Sequence, residues 1–367
     1  TGIAMIALIA FIPKNELNDE FVKYFDDSIP FRTATDFSSQ NLTGIYTIDY
    51  SLGNGEVGGI NEPAFLKDVD RFANWYREQP GVLHVNTLTD IMRRLNKNMH
   101  ADDPDWYRLP DERELSAQYL LLYEMSLPYG LDLNNQIDID KSATRMTVTL
   151  ESVSSNELLS IEARAQQWLA DNAPYMKSGG ASPSVMFAYI GQRNIRSMLI
   201  GASLALVLIS LILVIALRSF KIGLISLIPN LAPAGMGFGL WGLLDGQIGL
   251  GMSVVMGMTL GIVVDDTVHF LSKYLRARRE QGLAAPDAVR YAFHTVGIAL
   301  VVTTLVLIAG FMVLTQSAFK LNADMGLLTA ITIGLALIAD FIFLPPLLMK
   351  ADKSAAASPA GELQTDA

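Results

Sequence analysis

Apolar residues form five long runs in the second half of the chain, and these runs predict five membrane-spanning helices. A helix needs about 20 largely apolar residues to cross ~30 Å of hydrocarbon. Runs of about this length cover residues 197–217, 222–244, 248–270, 297–315 and 326–349. The shorter apolar stretch 1–13 is either the hydrophobic region of a signal peptide or the end of a truncated transmembrane helix. We favour the truncated helix, because no basic segment precedes the stretch.

Between these apolar regions, residues 14–196 alternate between strand-like and helix-like patterns. Period-two alternation and short β-rich runs predict strands at 44–52, 81–85, 145–152 and 182–190. Helical spacing predicts helices at 62–79, 90–98, 112–125 and 155–171, the last with a capping start at Ser154. Two βαβ-like passes with a helical insert predict a ferredoxin-like α+β domain. The predicted fold class is an α-helical transmembrane bundle with this domain, followed by a disordered tail at 350–367.

Composition and charge divide the chain in the same way. Hydrophobic residues make up 51% of the 367 and charged residues 17%, against roughly 25% in soluble domains. Residues 14–196 hold 17 Lys/Arg against 27 Asp/Glu and carry the whole net charge of −10. A wholly soluble protein and a generic nucleic-acid binder are excluded. Cysteine is absent from the sequence, so disulfides, Cys-ligated zinc and thiol catalysis are excluded as well.

Basic residues in the short connections between runs predict the orientation in the membrane. All nine Lys/Arg that flank the runs on one side fall at 218–221, 273–290 and 350–353, which predicts that this side is cytoplasmic. The acidic region 14–196 is then extracytoplasmic. No catalytic constellation occurs there: His84 and His100 are isolated, and Asp102–Asp103 beside a proline is typical of a solvated turn. An enzyme, a metal site and a bound cofactor are therefore not predicted.

Acidic residues inside the third and fifth runs are the strongest functional signal. An Asp in hydrocarbon costs ~2.5–3.5 kcal/mol on insertion scales, so Asp265, Asp266 and Asp340 are candidate proton-carrying groups. A ridge of small residues precedes Asp265 at intervals of four: Gly249, Ser253, Gly257 and Gly261. Such a ridge allows a second helix to approach closely. We therefore predict that the ridge packs against another span and that Asp265 points into the bundle.

Further polar residues lie at a similar depth, ~9–14 Å from the cytoplasmic end of each run, and predict a shared polar layer. They are Asn230, Thr303, Thr304 and Asp340. Simpler interpretations stay open. Residues 248–264 alone could span and leave both acids at the headgroups, and the threonines could bond their own backbone. His269 lies one turn beyond Asp265 and could share its proton as part of a polar network with Asn230, although an interfacial histidine is the favoured interpretation.

Three segments carry a family resemblance. The segments are GIVVDDTVHFLSKY (261–274), LISLIPNLAPAG (224–235) and ADFIFLPPLL (339–348). They resemble the resistance-nodulation-division (RND) superfamily of exporters, in its MMPL and Patched-like branch. The last five spans of that branch resemble a sterol-sensing domain. The chain is similar to the C-terminal half of such a transporter, and the resemblance implies that the homologous N-terminal half is its partner. It further implies a proton-relay role for Asp265 and Asp266, with Thr303 and Thr304 as relay partners.

The resulting functional hypothesis is an exporter of a hydrophobic or lipid-like substrate in the bacterial inner membrane, driven by the proton gradient. The alternative is a non-transporting, sterol-sensing-like membrane module that regulates or scaffolds a partner. The oligomeric state is left open, and the sequence does not identify the substrate.

Overall fold

The computed structural model describes the backbone of residues 2–356 and the side chains of residues 2–350. The chain divides into two compact units. The helical unit combines the residues up to Asp26 with those from Gly191 onward, and the α+β unit consists of Asp27–Ile190. The predicted extracytoplasmic segment 14–196 is therefore longer than the compact α+β unit, because residues 14–26 and 191–196 pack with the helices.

The first residues of the chain belong to the helical unit. They form helix α1 (Gly2–Ile9), a short 3-10 turn and the two-residue strand β1 (Glu16–Leu17). Strand β1 pairs in parallel with Gln247–Ile248, a two-residue strand from the second half of the chain.

The α+β unit contains five helices and a three-stranded sheet within the described residues. In chain order these are α2 (Pro30–Asn41), β2 (Tyr46–Gly53), α3 (Pro63–Arg77), β3 (Val82–Asn86), α4 (Leu88–Met99), α5 (Arg113–Ser126), β4 (Ala143–Leu150) and α6 (Ser155–Asn172). The sheet order is β2-β4-β3, with both pairs antiparallel. Alternate residues of β2 are buried, as its pattern predicts, and the Ser154 capping box of α6 is present. These predicted strands and helices are confirmed in type.

The prediction of a fourth strand at residues 182–190 is wrong. These residues open the long helix α7 (Pro183–Ala216), which starts with a proline and continues into the first apolar run. Proline is well tolerated in a first helical turn, because its missing N–H would have no helical partner there. At the edge of the sheet where a fourth strand would lie, Ala181 forms a single antiparallel bridge with Asp49 of β2. The sheet of the α+β unit therefore has three strands within the described residues.

The rest of the helical unit follows α7. It comprises α8 (Phe220–Leu244), β5 (Gln247–Ile248), α9 (Leu250–Arg279), α10 (Ala285–Ala292), α11 (Ile298–Leu314), α12 (Lys320–Ile338) and α13 (Leu344–Ala356). A wide π-helical turn joins α10 to α11 at Phe293–Gly297, and a second joins α12 to α13 at Ala339–Phe343. Because these turns do not break the helices, each pair makes one continuous span.

Within the described residues, five helices are long and apolar enough to cross a membrane, in agreement with the five predicted runs. They extend over Pro183–Ala216, Phe220–Leu244, Leu250–Arg279, Ala285–Leu314 and Lys320–Lys350. Helix α13 continues to Ala356, so the first residues of the predicted disordered tail are helical. The rest of that predicted tail, 357–367, lies outside the described residues.

Close helix contacts in this unit depend on glycine. At Gly239 of α8 an added Cβ would overlap the carbonyl oxygen of Leu8, and at Gly237 it would overlap the hydroxyl of Thr332. The backbone of α1 and the side chains of α12 thus lie directly against α8, a close approach that small residues permit between membrane helices. Helix α8 lies between them, and most of its second half is buried.

Candidate functional site

Helix α9 presents two different faces to its surroundings. One face is buried and carries Val263, Thr267, Phe270 and Tyr274, at intervals of three or four residues. It packs into a core formed with residues of α10, α11 and α13, among them Leu300 and Leu344. The opposite face carries Gly257, Gly261 and Asp265 and is exposed.

Within the described chain, only the first half of the small-residue ridge packs against other residues, and the packing of its second half against another span stays a prediction. Gly249 and Ser253 are packed: a Cβ at Gly249 would overlap the Asp19 carboxylate, and the Ser253 hydroxyl lies 3.0 Å from the sulfur of Met198. At Gly257 and Gly261, however, an added Cβ would meet nothing within 4 Å. The larger side chains of the opposite face occupy the core instead. We call Gly257, Gly261 and Asp265 the open face of α9.

Asp265 consequently does not point into the core. Its side chain is 73% exposed, and His269 Nε2 lies 3.5 Å from its Oδ1 one turn further along. Asp266 lies about 100° further around the helix axis than Asp265, and its side chain is only partly exposed. Both acids line a groove of about 780 Å³ between α9 and the helix α10–α11, together with Thr303. The α9–α11 groove is otherwise lined mainly by aliphatic side chains.

The buried face of α9 makes the contact with the third predicted acid. Asp340 is 2% exposed and lies in the π-helical turn between α12 and α13. Its Oδ1 is 3.2 Å from the Thr267 hydroxyl, and its Oδ2 has no hydrogen-bond partner within the described part of the chain. Asp266 directly precedes Thr267 in α9. The structure thus brings Asp266, Thr267 and Asp340 together through one turn of α9.

The hydrogen bonds of Thr267 depend on the proton of Asp340. The Thr267 oxygen is 3.1 Å from the carbonyl oxygen of Val263 and 3.2 Å from Asp340 Oδ1. A hydroxyl has one proton to donate, so it cannot serve both acceptors. With Asp340 charged, the hydroxyl donates to the carboxylate. With Asp340 protonated, the acid can donate to Thr267, which then donates to Val263.

The remaining predicted polar residues do not form one connected layer. Asn230 and Thr304 are each 1% exposed, and each has a side-chain oxygen without a hydrogen-bond partner in the described chain. The Thr303 hydroxyl lies 2.9 Å from the carbonyl oxygen of Ala299 and 3.1 Å from that of Leu300, so it bonds its own helix backbone, which is the self-bonding alternative for this residue.

Thr267 is the site residue that the sequence interpretation missed. A threonine in a membrane helix commonly bonds its own backbone, so its residue type carries little signal. Its position immediately after Asp266 places it on the adjoining face of the helix, and this spacing is the one cue that was available.

These features define an integral membrane protein in which helices with internal carboxyl groups accompany an α+β unit. Comparison with known proteins agrees. A relative from Methanocaldococcus jannaschii, named as a membrane protein, is 21% identical over 316 residues, covering 84% of this chain and 77% of the relative. The MMPL family model matches residues 132–365, and the chain belongs to the MMPL family. Members of this family are transporters rather than enzymes, which indicates a transporter-like membrane function.

Proposed function

We propose that this chain is the C-terminal half of a proton-driven exporter of a hydrophobic or lipid-like substrate. In this proposal the α+β unit is an extracytoplasmic, ferredoxin-like domain, and the loops rich in Lys and Arg face the cytoplasm of a bacterial inner membrane. The energy source is the proton gradient.

The observation that carries the proposal is the burial of Asp340 beside Thr267. A charged carboxylate within a membrane-spanning bundle is costly, and such residues mark proton and ion pathways. Among the described residues, the Thr267 hydroxyl is the one hydrogen-bond partner of the Asp340 carboxyl group. A permanent structural role would favour a fully satisfied carboxylate, because a buried polar atom left without a partner costs about 1–3 kcal/mol.

Asp266 supplies a route between solvent and Asp340. Its carboxyl group lines the α9–α11 groove, whereas its neighbour Thr267 contacts Asp340 from the adjoining face of the helix. In the proposed cycle a proton enters through the groove, with His269 and Asp265 at its rim. Protonation of Asp340 then redirects the Thr267 hydroxyl to the backbone of α9. The π-helical turn around Asp340 is a place where the helix can adjust, since such turns are frequent at functional sites.

The open face of α9 supports the proposed partner, the homologous N-terminal half of the transporter. Gly257 and Gly261 leave room for a helix backbone, and Asp265 lies beside them. Small residues are the usual interface of membrane helices. A docked helix would cover the α9–α11 groove from the side of α9 and shield its acids.

Proton flux tests the proposal. The two-half protein is reconstituted in liposomes that contain a pH-sensitive dye, a proton gradient is imposed, and internal acidification is recorded. We expect Asp340→Asn and Asp266→Asn to lower the protein-dependent proton flux at least tenfold while the protein remains folded. Asp287→Asn, an exposed acid at the start of α10, is the matched control and should keep normal flux.

Normal flux in both Asp variants would exclude the assigned pathway. Absence of any flux through the unaltered two-half protein would instead favour the alternative, a sterol-sensing-like module that regulates or scaffolds a partner.

A further inference from the structure

The α+β unit carries a groove of about 760 Å³ that lies along helix α4. Its walls come from α4, the edge strand β3, the segment around Tyr107 and the end of α5. The unit as a whole has 13 Lys/Arg and 23 Asp/Glu. The groove reverses this balance, since Arg77, Arg93 and Arg94 line it together with a single carboxylate, Asp90. We call it the arginine groove.

Two of the three arginines are held in place by groups at the base of the groove. Arg77 donates to Asp90 at 2.7 Å, to the Asn74 side chain at 2.9 Å and to the carbonyl oxygen of Val85 at 3.3 Å. Arg93 is paired with the buried Asp70. Each guanidinium has five N–H groups, so both retain donors that these partners do not use.

Arg94 differs from Arg77 and Arg93 because its guanidinium group has no ion-pair partner among the described residues. Its side chain is exposed and makes no ion pair or side-chain hydrogen bond to the described residues. It projects from the middle turn of α4 into a concave surface that already holds two fixed arginines. Planar guanidinium groups in this arrangement bind phosphate or carboxylate in bidentate fashion, the geometry for which arginine is favoured over lysine.

One side of the arginine groove, the rim formed by the end of α5 and the segment around Tyr107, carries aromatic side chains and adjoins exposed apolar ones. Tyr107 and Tyr123 line it, and Tyr107 is 49% exposed. Leu122 is also exposed and lies one turn before Ser126 of α5, which is a lining residue, so both are on the same side of the helix. Met125, beside Ser126, is 77% exposed. A basic centre with an apolar rim matches a ligand that has an anionic head and a hydrophobic tail.

We propose that the arginine groove binds the anionic headgroup of an amphiphilic substrate, with Arg94 as its principal contact and the rim of α5 against the start of its tail. This inference rests on the proposed export function and narrows its substrate to an acidic lipid or a similar amphiphile. Phosphate and carboxylate headgroups share the required chemistry. A free inorganic anion would use the arginines alone and gain nothing from the rim.

Calorimetric titration of the full chain in nanodiscs of phosphatidylcholine tests the inference. The probes are dihexanoyl phosphatidylglycerol, dihexanoyl phosphatidylcholine and inorganic phosphate, each as free monomer. We expect the anionic lipid to bind at least tenfold more tightly than the other two. Arg94→Gln should weaken its binding about tenfold, as expected for the loss of one charge-assisted hydrogen bond. Leu122→Ser should weaken binding of the lipid but not of phosphate.

Lys97→Gln is the matched control, because Lys97 lies on the same helix with the same charge but does not line the groove. It should bind the anionic lipid as the unaltered chain does. Equal affinity for the two lipids, or normal binding by Arg94→Gln, would overturn the inference. Binding of phosphate as tight as that of the anionic lipid would overturn its amphiphile part. Failure of all three probes to bind would also overturn it and would leave the arginines as contacts for a partner protein.

The titration needs no proton gradient, so it separates this inference from the proposed function. Asp340→Asn should bind the anionic lipid normally. If Asp340→Asn binds the anionic lipid normally and also keeps normal proton flux, the relay assignment fails and the groove assignment stands. If proton flux depends on Asp340 but the lipid does not bind, the reverse holds.

Discussion

One hydroxyl group, that of Thr267, joins the buried carboxyl of Asp340 to the backbone of α9. Whether the proton of that hydroxyl is directed to Asp340 or to Val263 depends on the charge of Asp340. In the proposed relay, a change of one proton on Asp340 would reach α9 through a hydroxyl rotation alone. The presence of a hydroxyl, more than the shape of the side chain, is what this arrangement requires.

We expect Thr267→Val to abolish this communication and Thr267→Ser to preserve it. Valine has nearly the same shape but leaves Asp340 Oδ1 without a donor, at a cost of about 1–3 kcal/mol in the free energy of unfolding. Thr329→Val is the control: Thr329 is also fully buried, but its hydroxyl has no partner in the described chain, so its loss should be neutral. Thermal unfolding and proton flux measure both effects. A Thr267→Val protein equal to Thr267→Ser in both would contradict the role.

The sequence predicted part of this site and missed its geometry. The cost of an acid in an apolar run identified Asp340 and Asp266 as candidates. Which face of α9 meets its neighbours could not be obtained from spacing, because two faces were plausible: the small-residue ridge and the row through Val263 and Thr267. The row has the larger side chains and buries more apolar surface, so it forms the core and leaves Asp265 outside.

At the scale of elements, the start of α9 is fixed by a residue far away in sequence. The Asp19 carboxylate accepts hydrogen bonds from the backbone N–H of Leu250 at 3.2 Å and from the Tyr24 hydroxyl. Its side chain is buried, and an added Cβ at Gly249 would overlap it. Through the bond from Leu250, the Asp19 side chain satisfies a backbone N–H group at the start of α9 that has no partner within the helix.

We expect this contact to make stability depend on pH. Burial raises the pKa of Asp19 above its ordinary value of 3.8, although the hydrogen bonds from Tyr24 and Leu250 lower it. Because the folded state then binds the proton more tightly than the unfolded state, this contribution to stability is complete below pH 3.8 and is lost as pH rises through the raised pKa. Asp19→Asn keeps an acceptor oxygen and should flatten the unfolding temperature against pH in this window.

Other charged groups surround the same small cavity and provide the control for that measurement. They are Glu20, Lys23, Asp245, Lys320 and Asp324. Glu20→Gln changes one of these charges without touching α9, so it should leave the pH dependence in place. A profile that is unchanged by Asp19→Asn would assign the effect to one of these groups instead.

A pair of glycines distinguishes the packed helix faces from the open one. Gly239→Ala places a methyl group against the Leu8 carbonyl and should destabilise the chain by about 1–3 kcal/mol through overpacking. Gly257→Ala meets no neighbour and improves helix propensity, so it should be neutral or stabilising by up to ~1 kcal/mol. Denaturation of the two variants in detergent measures the difference. Equal destabilisation would mean that the open face is covered within this chain.

For the whole molecule, the sequence established the division into an acidic region and five spans because both depend on composition over long stretches. It was wrong at residues 182–190, where a short apolar segment was assigned to a strand. Short runs of this kind do not distinguish a strand from the first turns of a helix. These residues are helical because they are continuous with the 34-residue helix α7, and extending an existing helix costs less than starting a new element.

Membrane orientation is a property of the whole chain that single cysteines can test, because the sequence contains none. We expect Ser126→Cys, exposed at the end of α5, to react with an impermeant thiol reagent added outside intact cells. Gln281→Cys, exposed between α9 and α10, should react only after the membrane is permeabilised. The opposite labelling pattern would invert the proposed topology.

The π-helical turns also determine where the chain can lose a single residue without disturbing the helix packing. An α-helix advances 100° per residue, so a deletion inside α12 or α13 would turn every following side chain away from its neighbours. The turn Ala339–Phe343 holds one residue more than an α-helical turn, and shortening it by one converts it to ordinary helix with both flanks in register. We therefore expect deletion of Ile342, whose side chain is exposed, to preserve folding, and deletion of Leu328, which is fully buried within α12, to destroy it. Gel filtration in detergent distinguishes the two, and among homologous chains single-residue gaps should fall at this turn.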